Sequence, residues 1–456
     1  MEYRIEHDSM GEVNVPAGAL YGAQTQRAVD NFKVADRLMP ALFVHCLAYI
    51  KSAAAVANST CGSLSVELAA AIESAAALVA AGEYDEQFPV GVFQTGSGTS
   101  TNMNMNEVLA ALGARGSGQA IHPNDHVNCS QSSNDVIPAC LQVATAVAMD
   151  RDLLPALLTL EKILSERARD LEETVKTGRT HLMDAMPVTF GQELAGWAFQ
   201  LDECRQRLAD LQPRLLALPV GGSAVGTGVN VPEGYAEALV GRLGELLELP
   251  FVVSPVPSSR MSGQEVAVEC SACLRSIAHV LSKINNDLRW MSSGPLAGLA
   301  EIQLEALQPG SSIMPGKINP VLPEAVLMAA AEVVGNDATV ALAARSGNFQ
   351  LNVMLPLLAD KLLDSVNLMV GACRATGRVV SGFTVNHEQV ERVLARNPIL
   401  VTALNTRIGY EAAAAIAKRA YAEGRPVLDV AAEDTDLSRT ELAELMNPAR
   451  LAGLTG

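Results

Sequence analysis

The chain has 456 residues, about three domains' worth at roughly 150 residues each. Its 49% hydrophobic and 18% charged residues exclude a disordered chain, and its 4% aromatics imply a core of Ala, Leu, Val and Ile, as in helical bundles. With 33 Lys+Arg against 50 Asp+Glu and a net charge of −17, a broad nucleic-acid or anionic-membrane surface is excluded, since either needs clustered cations.

The N-terminus opens with Glu2, Arg4, Glu6 and Asp8, where a secretory signal would need an apolar run. Residues 1–131 read as a mixed, helical N-terminal domain in which helices alternate with polar loops. The apolar stretches Leu68–Ala81 and Val326–Val334 are broken by Glu73 and Glu332 and are too short to span a bilayer. His45, in an apolar helical stretch, reads as a core or interface residue, and so does His279 further on.

The run Gln94-Thr95-Gly96-Ser97-Gly98-Thr99-Ser100-Thr101-Asn102 packs hydroxyls and glycine amides densely enough to make an anion-binding nest if a helix begins there. Ordinary helix capping is the alternative. His122, Pro123, Asn124 and Asp125 then lead to Ser130-Gln131-Ser132-Ser133-Asn134-Asp135. His122 and His126 have the spacing of a metal pair on a helix, but Pro123 and the following Asn-Asp favour a turn. The Ser/Asn cluster offers neutral donors to a carboxylate, or it caps the next helix.

From 132 to 383 the pattern becomes long helices. Asp150–Thr174, Glu193–Leu216, Gln264–Met291, Pro323–Ala344 and Val353–Val379 carry apolar residues at three- and four-residue spacing. Five such segments predict an extended bundle, and their Ala-rich faces predict an oligomer. Between the first two, Thr180-His181 reads as a helix break carrying a possible proton handler. Gly221-Gly222 to Gly226-Thr227-Gly228 has no preceding strand in this reading, so it is not taken as a dinucleotide loop. Cys270 and Cys273 form the one C-x-x-C, without a second pair for a metal. Eight cysteines without a dense framework suit reduced thiols in the cytoplasm.

Gly310-Ser311-Ser312-Ile313-Met314-Pro315-Gly316-Lys317-Ile318-Asn319-Pro320, with Glu324 beyond, reads as a mobile loop between helices. It sets two hydroxyls, an ammonium and an amide within short reach. Residues 384–456 form a small helical C-terminal domain with predicted N-caps at Asn386 and Ser438.

In this order the segments resemble the fumarase/aspartase superfamily, most closely its class II, iron-independent fumarases. The likeness runs from Met10-Gly11 and Gln24-Thr25-Gln26-Arg27-Ala28 through the Gly310–Pro320 loop to Ile408-Gly409-Tyr410. It implies a mainly all-α, three-domain architecture whose central five-helix bundles merge in a homotetramer, with active sites shared by three subunits. It implies reversible elimination of water from malate to give fumarate, without metal or cofactor. By the same resemblance Ser311 is the base at the substrate Cβ, and Lys317 and Asn319 hold the adjacent carboxylate. His181 paired with Glu324 handles the proton near the leaving group. Ser97, Thr99, Ser132, Ser133, Asn134 and Thr180 bind substrate, while His122, Asn124 and Asp125 form a second anion site.

The chemistry demands such a set. Removing a proton beside a carboxylate adds charge to a group already ionised. One base supplies about 10²–10⁴ in rate, short of the roughly million-fold that enzymes reach, so preset donors worth about 10²–10³ each are needed. Ser97 and Ser133 stand where ammonia-lyases of the superfamily more usually carry Ala and Thr. The Val256–Arg260 segment and Gln350 depart from the fumarase pattern. An ammonia-lyase or another lyase acting on a 2-substituted succinate is the alternative, and a catalytically dead scaffold is a third reading.

Overall fold

In the computed structural model, which describes residues 2–454, the chain starts with an antiparallel hairpin. It comprises β1 (Tyr3–Asp8) and β2 (Gly11–Pro16). Arg4 ties the hairpin down by donating to the carbonyls of Pro16, Ala19 and Tyr21. Five helices follow: α1 (Ala23–Asn31), α2 (Ala41–Thr60), α3 (Val66–Ala80), α4 (Thr99–Ser117) and α5 (Ser133–Ala148). The N-terminus of α1 is capped from a distance. The Glu107 carboxylate on α4 accepts from the amides of Gly22, Gln24 and Thr25, where the helix dipole favours an anion.

A π-helical turn, Met149–Leu153, carries α5 into α6 (Leu154–Asp170). A second hairpin, β3 (Val175–Thr180) with β4 (Met183–Thr189), then leads into α7 (Phe190–Leu215). The two-residue strands β5 (Ala217–Leu218) and β6 (Val252–Val253) pair in parallel around α8 (Tyr235–Leu247). So a short strand does precede the Gly221–Gly228 loop, contrary to the sequence reading. The next helix starts only at Tyr235, which still leaves no strand–loop–helix nucleotide site. Next come α9 (Pro257–Ser262), α10 (Glu265–Met291), β7 (Ile302–Gln303), α11 (Val321–Ala344), the hairpin β8 (Gly347–Asn348) with β9 (Leu351–Asn352), and α12 (Leu355–Gly382).

The long helices follow from their spacing. The buried stripe of α7 includes Leu194, Trp197, Leu201, Cys204, Leu208, Leu211 and Leu215, and that of α10 includes Ala267, Cys270, Leu274, Ile277, Leu281, Ile284, Leu288 and Met291. Steps of three and four alternate throughout, the rhythm that keeps one stripe of a helix against its neighbours. Polar links add specificity: Ser271 Oγ donates to Asp337 Oδ1 (2.7 Å) between α10 and α11, and Asn285 Nδ2 donates to Thr376 Oγ1 (2.9 Å) between α10 and α12.

Among the described residues two helices, α2 and α11, are long and apolar enough to cross a membrane by length and composition. The apolar stretch expected at Val326–Val334 thus belongs to a longer helix. Most of α2 is buried. On α11 an apolar face is left open, with Met328 68% and Leu342 63% exposed beside Ala331, Gly335 and Ala338.

Two compact units interleave along the chain. One comprises Met1–Pro155, Arg205–Ala278 and Ala331–Val370; the other comprises Ala156–Cys204, His279–Ala330 and Gly371–Gly456. Each of the five long helices contributes residues to both. In the second unit β10 (Thr384–Val385) pairs with β7. After it come α13 (His387–Ala395), α14 (Asn405–Ile408), α15 (Tyr410–Glu423), α16 (Val427–Asp434), α17 (Arg439–Leu445) and α18 (Pro448–Leu451). Asn386 and Ser438 are N-caps, as the sequence predicts, and Ser438 forms a full capping box with Glu441. Leu404, Ile416, Val430 and Leu442 form the core of this tail.

Candidate active site

The residues singled out in the sequence fall into two groups, one in each unit. In the first unit, Ser97 Oγ and Thr99 Oγ1 share a hydrogen bond of 2.8 Å across Gly98. Gly98 is the N-cap of α4 with φ +75°, and a Cβ there would lie 2.8 Å from Ile137. At Gly96 a Cβ would sit 1.7 Å from the Val353 carbonyl oxygen, so the loop passes against backbone that only glycine admits. The first turn of α4 has no acidic residue, which leaves its amide dipoles available to an anion.

Ser132 is the N-cap of α5. Its hydroxyl accepts from Asn134 N (3.2 Å) and its amide donates to Asp135 Oδ1 (3.0 Å). The capping alternative therefore holds for Ser132. Ser133 and Asn134 occupy the first turn instead: Ser133 Oγ accepts from Asn102 Nδ2 (3.0 Å), and Asn134 Nδ2 donates to the Ala224 carbonyl (2.9 Å). Asn102 thus joins the starts of α4 and α5. His122, Asn124 and Asp125 are exposed on a π-helical turn, Pro123–Val127. His122 Nδ1 lies 3.1 Å from both the amide nitrogen and the Oδ2 of Asp125. His126 Nδ1 accepts from His122 N (3.0 Å). Among the described residues no three His, Cys, Asp or Glu side chains converge on a metal-sized site.

In the second unit, Thr180-His181 is not a helix break. Thr180 ends β3 opposite Met183, and His181 and Leu182 form the two-residue tip, with φ +55° and +62°. Both tip residues adopt the left-handed conformation that such tight hairpins require. The hairpin's root is stiff. Lys176 Nζ, buried, donates to Glu193 Oε2 (2.8 Å) and Glu301 Oε2 (3.3 Å), Arg179 also pairs with Glu301, and Asn397 Nδ2 donates to the Ala185 carbonyl (2.9 Å). Thr189 and Gln192 cap each other's amides where the hairpin enters α7.

The Gly310–Pro320 loop joins β7 to α11, where the sequence reading set it between two helices. Gly310 N donates to the Lys317 carbonyl (2.8 Å), and Asn319 Nδ2 donates to the Gly310 carbonyl (2.7 Å), closing the loop at its neck. At its head Ser311 Oγ accepts from the amides of Ile313 (3.2 Å) and Met314 (3.1 Å). Lys317 is exposed and has no carboxylate partner among the described residues. Nor does a hydrogen bond or ion pair join His181 to Glu324 within this chain; both side chains are exposed.

Other sequence readings resolve simply. Cys270 is buried against Met149 and Cys273 is half-buried, and neither is in a disulfide. His45 is half-buried on Asp85 (2.8 Å), and His279 is exposed. The sequence reading missed Lys51 and Asn128, which lie in the polar network behind Ser133. The signal for Lys51 was a single cation inside the apolar run Ile50-Lys51-Ser52-Ala53-Ala54-Ala55.

The chain matches the family model described as Lyase over residues 11–335 and that described as Fumarase C C-terminus over 400–453. It is 53% identical over 450 residues to fumarate hydratase class II of Xylella fastidiosa, covering 98% of this chain and 95% of that one. To fumarate hydratase class II 2 of Pseudomonas aeruginosa it is 52% identical over 449 residues, covering 98% of each. Among solved structures, the class II fumarase of Schistosoma mansoni superposes with a TM-score of 0.96 at 35% identity, covering 99% of both chains.

Proposed function

This chain belongs to the class II fumarate hydratases, hydro-lyases of the fumarase/aspartase superfamily, and from that premise we propose how it interconverts L-malate and fumarate. Ser311 removes the proton from the substrate Cβ, anti to the departing hydroxyl. Serine is a weak acid, so its alkoxide needs help. The observation that carries this reading is the pair of amides, Ile313 N and Met314 N, already directed at Ser311 Oγ. Donors preset on the oxygen that becomes charged cost no reorganisation during reaction. Lys317 and Asn319 then hold the carboxylate next to the reacting carbon as it gathers charge.

Ser97 and Thr99 at the start of α4, Ser132, Ser133 and Asn134 at the start of α5, and Thr180 bind the rest of the dicarboxylate. His181, with Glu324 of the assembled enzyme, manages the proton at the leaving group. His122, Asn124 and Asp125 form the second anion site. The assembly is a homotetramer with sites built from three subunits. The open apolar face of α11 supports this, because a helix so apolar gains from burial against copies of itself. Eight cysteines, none in a disulfide, suit a reducing cytoplasm, where the reaction serves the tricarboxylic acid cycle.

The test is to offer the purified protein malate and then aspartate, following the ultraviolet absorbance of fumarate's conjugated double bond. Growth of signal with malate alone is expected. Growth with aspartate alone would overturn the hydratase reading.

A further inference from the structure

Lys51 sits on α2 with 0% exposure, and among the described residues no carboxylate lies within ion-pair distance of it. Its ammonium donates to two neutral oxygens, Asn128 Oδ1 (3.0 Å) and Gln131 Oε1 (2.9 Å). The same Asn128 Oδ1 also accepts from Asn102 Nδ2 (3.1 Å) and Asn106 Nδ2 (3.2 Å), so three donors crowd one carbonyl. Asn102 passes the link on to Ser133 Oγ, and Gln131 directly precedes Ser132. An apolar side chain would fill this core position without the cost of burying a charge. Something nearby must repay it.

Asp135 is the natural counterpart. It stands in the first turn of α5 with 1% exposure, and its carboxylate accepts from Ser132 N and from Ser223 N (2.8 Å). A carboxylate there suits helix capping but opposes a second anion arriving at the same helix start. Burial pushes the Lys51 ammonium down to about 7 and the Asp135 carboxyl up to about 6, and each group's charge pulls the other back.

We propose that Lys51 is a positioning residue for the dicarboxylate: through Asn128, Asn102 and Gln131 it orients Ser132 and Ser133, and its charge offsets Asp135 so that the start of α5 accepts an anion. The inference rests on the assignment of Ser132, Ser133 and Asn134 to substrate binding. It assigns Lys51 a role in KM without contact to the substrate.

The experiment compares the tetramers of wild type, Lys51→Met, Asp135→Asn and the double variant with malate. Lys51→Met is expected to raise KM about tenfold while kcat changes less than about threefold, because ground-state binding is what it supports. Asp135→Asn alone is expected to lower KM. The double variant should recover most of the KM lost in Lys51→Met, since both charges are then gone; a purely structural lysine would give no such recovery. Should Lys51→Met fail to fold, the KM of Asp135→Asn decides the question alone. An unchanged KM in Lys51→Met, no recovery in the double variant, or a raised KM in Asp135→Asn overturns the inference and leaves the hydratase reading intact. Wild type inert toward malate would bring down both.

Discussion

The hydroxyl oxygen of Ser311 lies 3.1 Å from the amide nitrogen of Met314, three residues on in the same loop. The backbone itself therefore supplies a donor to the side chain proposed as the base. The neck of the loop, closed by Gly310, Lys317 and Asn319, keeps that arrangement short and local. It needs no distant residue to form.

Replacing Ser311 by Ala removes the oxygen and little else, because the side chain accepts only from its own loop. Turnover should fall by about 10²–10⁴-fold, the range for a positioned base, while thermal unfolding and the oligomer's size by gel filtration stay unchanged. A variant that keeps near-normal kcat would remove Ser311 from the chemistry.

Gly96→Ala puts a methyl group 1.7 Å from the Val353 carbonyl oxygen and 2.4 Å from its carbon. Neither backbone can yield cheaply, so the loop that carries Ser97 and Thr99 must shift, at a cost of about 1–3 kcal/mol or more. Both Tm and kcat/KM should drop. Gly116→Ala, late in α4 with nothing within 4 Å, is the control and should be neutral or stabilising by up to about 1 kcal/mol. Equal behaviour of the two variants would contradict the close approach.

At the hairpin tip, Leu182 holds φ +62° and is 65% exposed, so it is strained without burial in return. A left-handed conformation costs a non-glycine residue roughly 1–2 kcal/mol, part of which glycine gives back through its freer unfolded chain. Leu182→Gly should raise Tm slightly and leave kcat close to normal, because the Lys176–Glu301 root still aims His181. A lower Tm would show that Leu182 stabilises the tip.

The buried Lys51 also leaves a mark on stability against pH. Asp135 and the Cys140 thiol are the titratable groups that bear on it. Its folded value of about 7 lies below the ordinary 10.5, so between those values the unfolded chain holds the proton and the folded one does not. Stability from this group therefore rises with pH across that window and is flat below it. The unfolding free energy of wild type minus that of Lys51→Met should grow from pH 7 to pH 10 (roughly the two ends of that window). A difference that stays level or shrinks would mean that Lys51 is not desolvated as the fold implies.

Much of the helical architecture was legible because a helix repeats locally. The three-and-four rhythm of Leu194 to Leu215 and of Ala267 to Met291 can be read along one segment, and Asn386 and Ser438 are caps by the chemistry of their own side chains. The second hairpin was not legible. Its tip is His-Leu rather than Asn-Gly, and the strands on either side carry Lys, Arg and Asp in place of clean alternation, so nothing local announces a turn. The first hairpin was missed for a related reason: its half-buried face is supported by Arg4 reaching carbonyls up to 17 residues away.

By itself the amino-acid order determined the helical class, the loop between Gly310 and Pro320, and the strings from which the proposed site is drawn, since each is written in a short stretch. Tertiary structure alone decided that Lys51 meets Asn128 and Gln131, 77 and 80 residues on, and that Gly96 passes beneath Val353. Such partners are chosen by burial, which forces every enclosed polar group to find another wherever the packed helices bring one within reach. No periodicity along the chain encodes that choice.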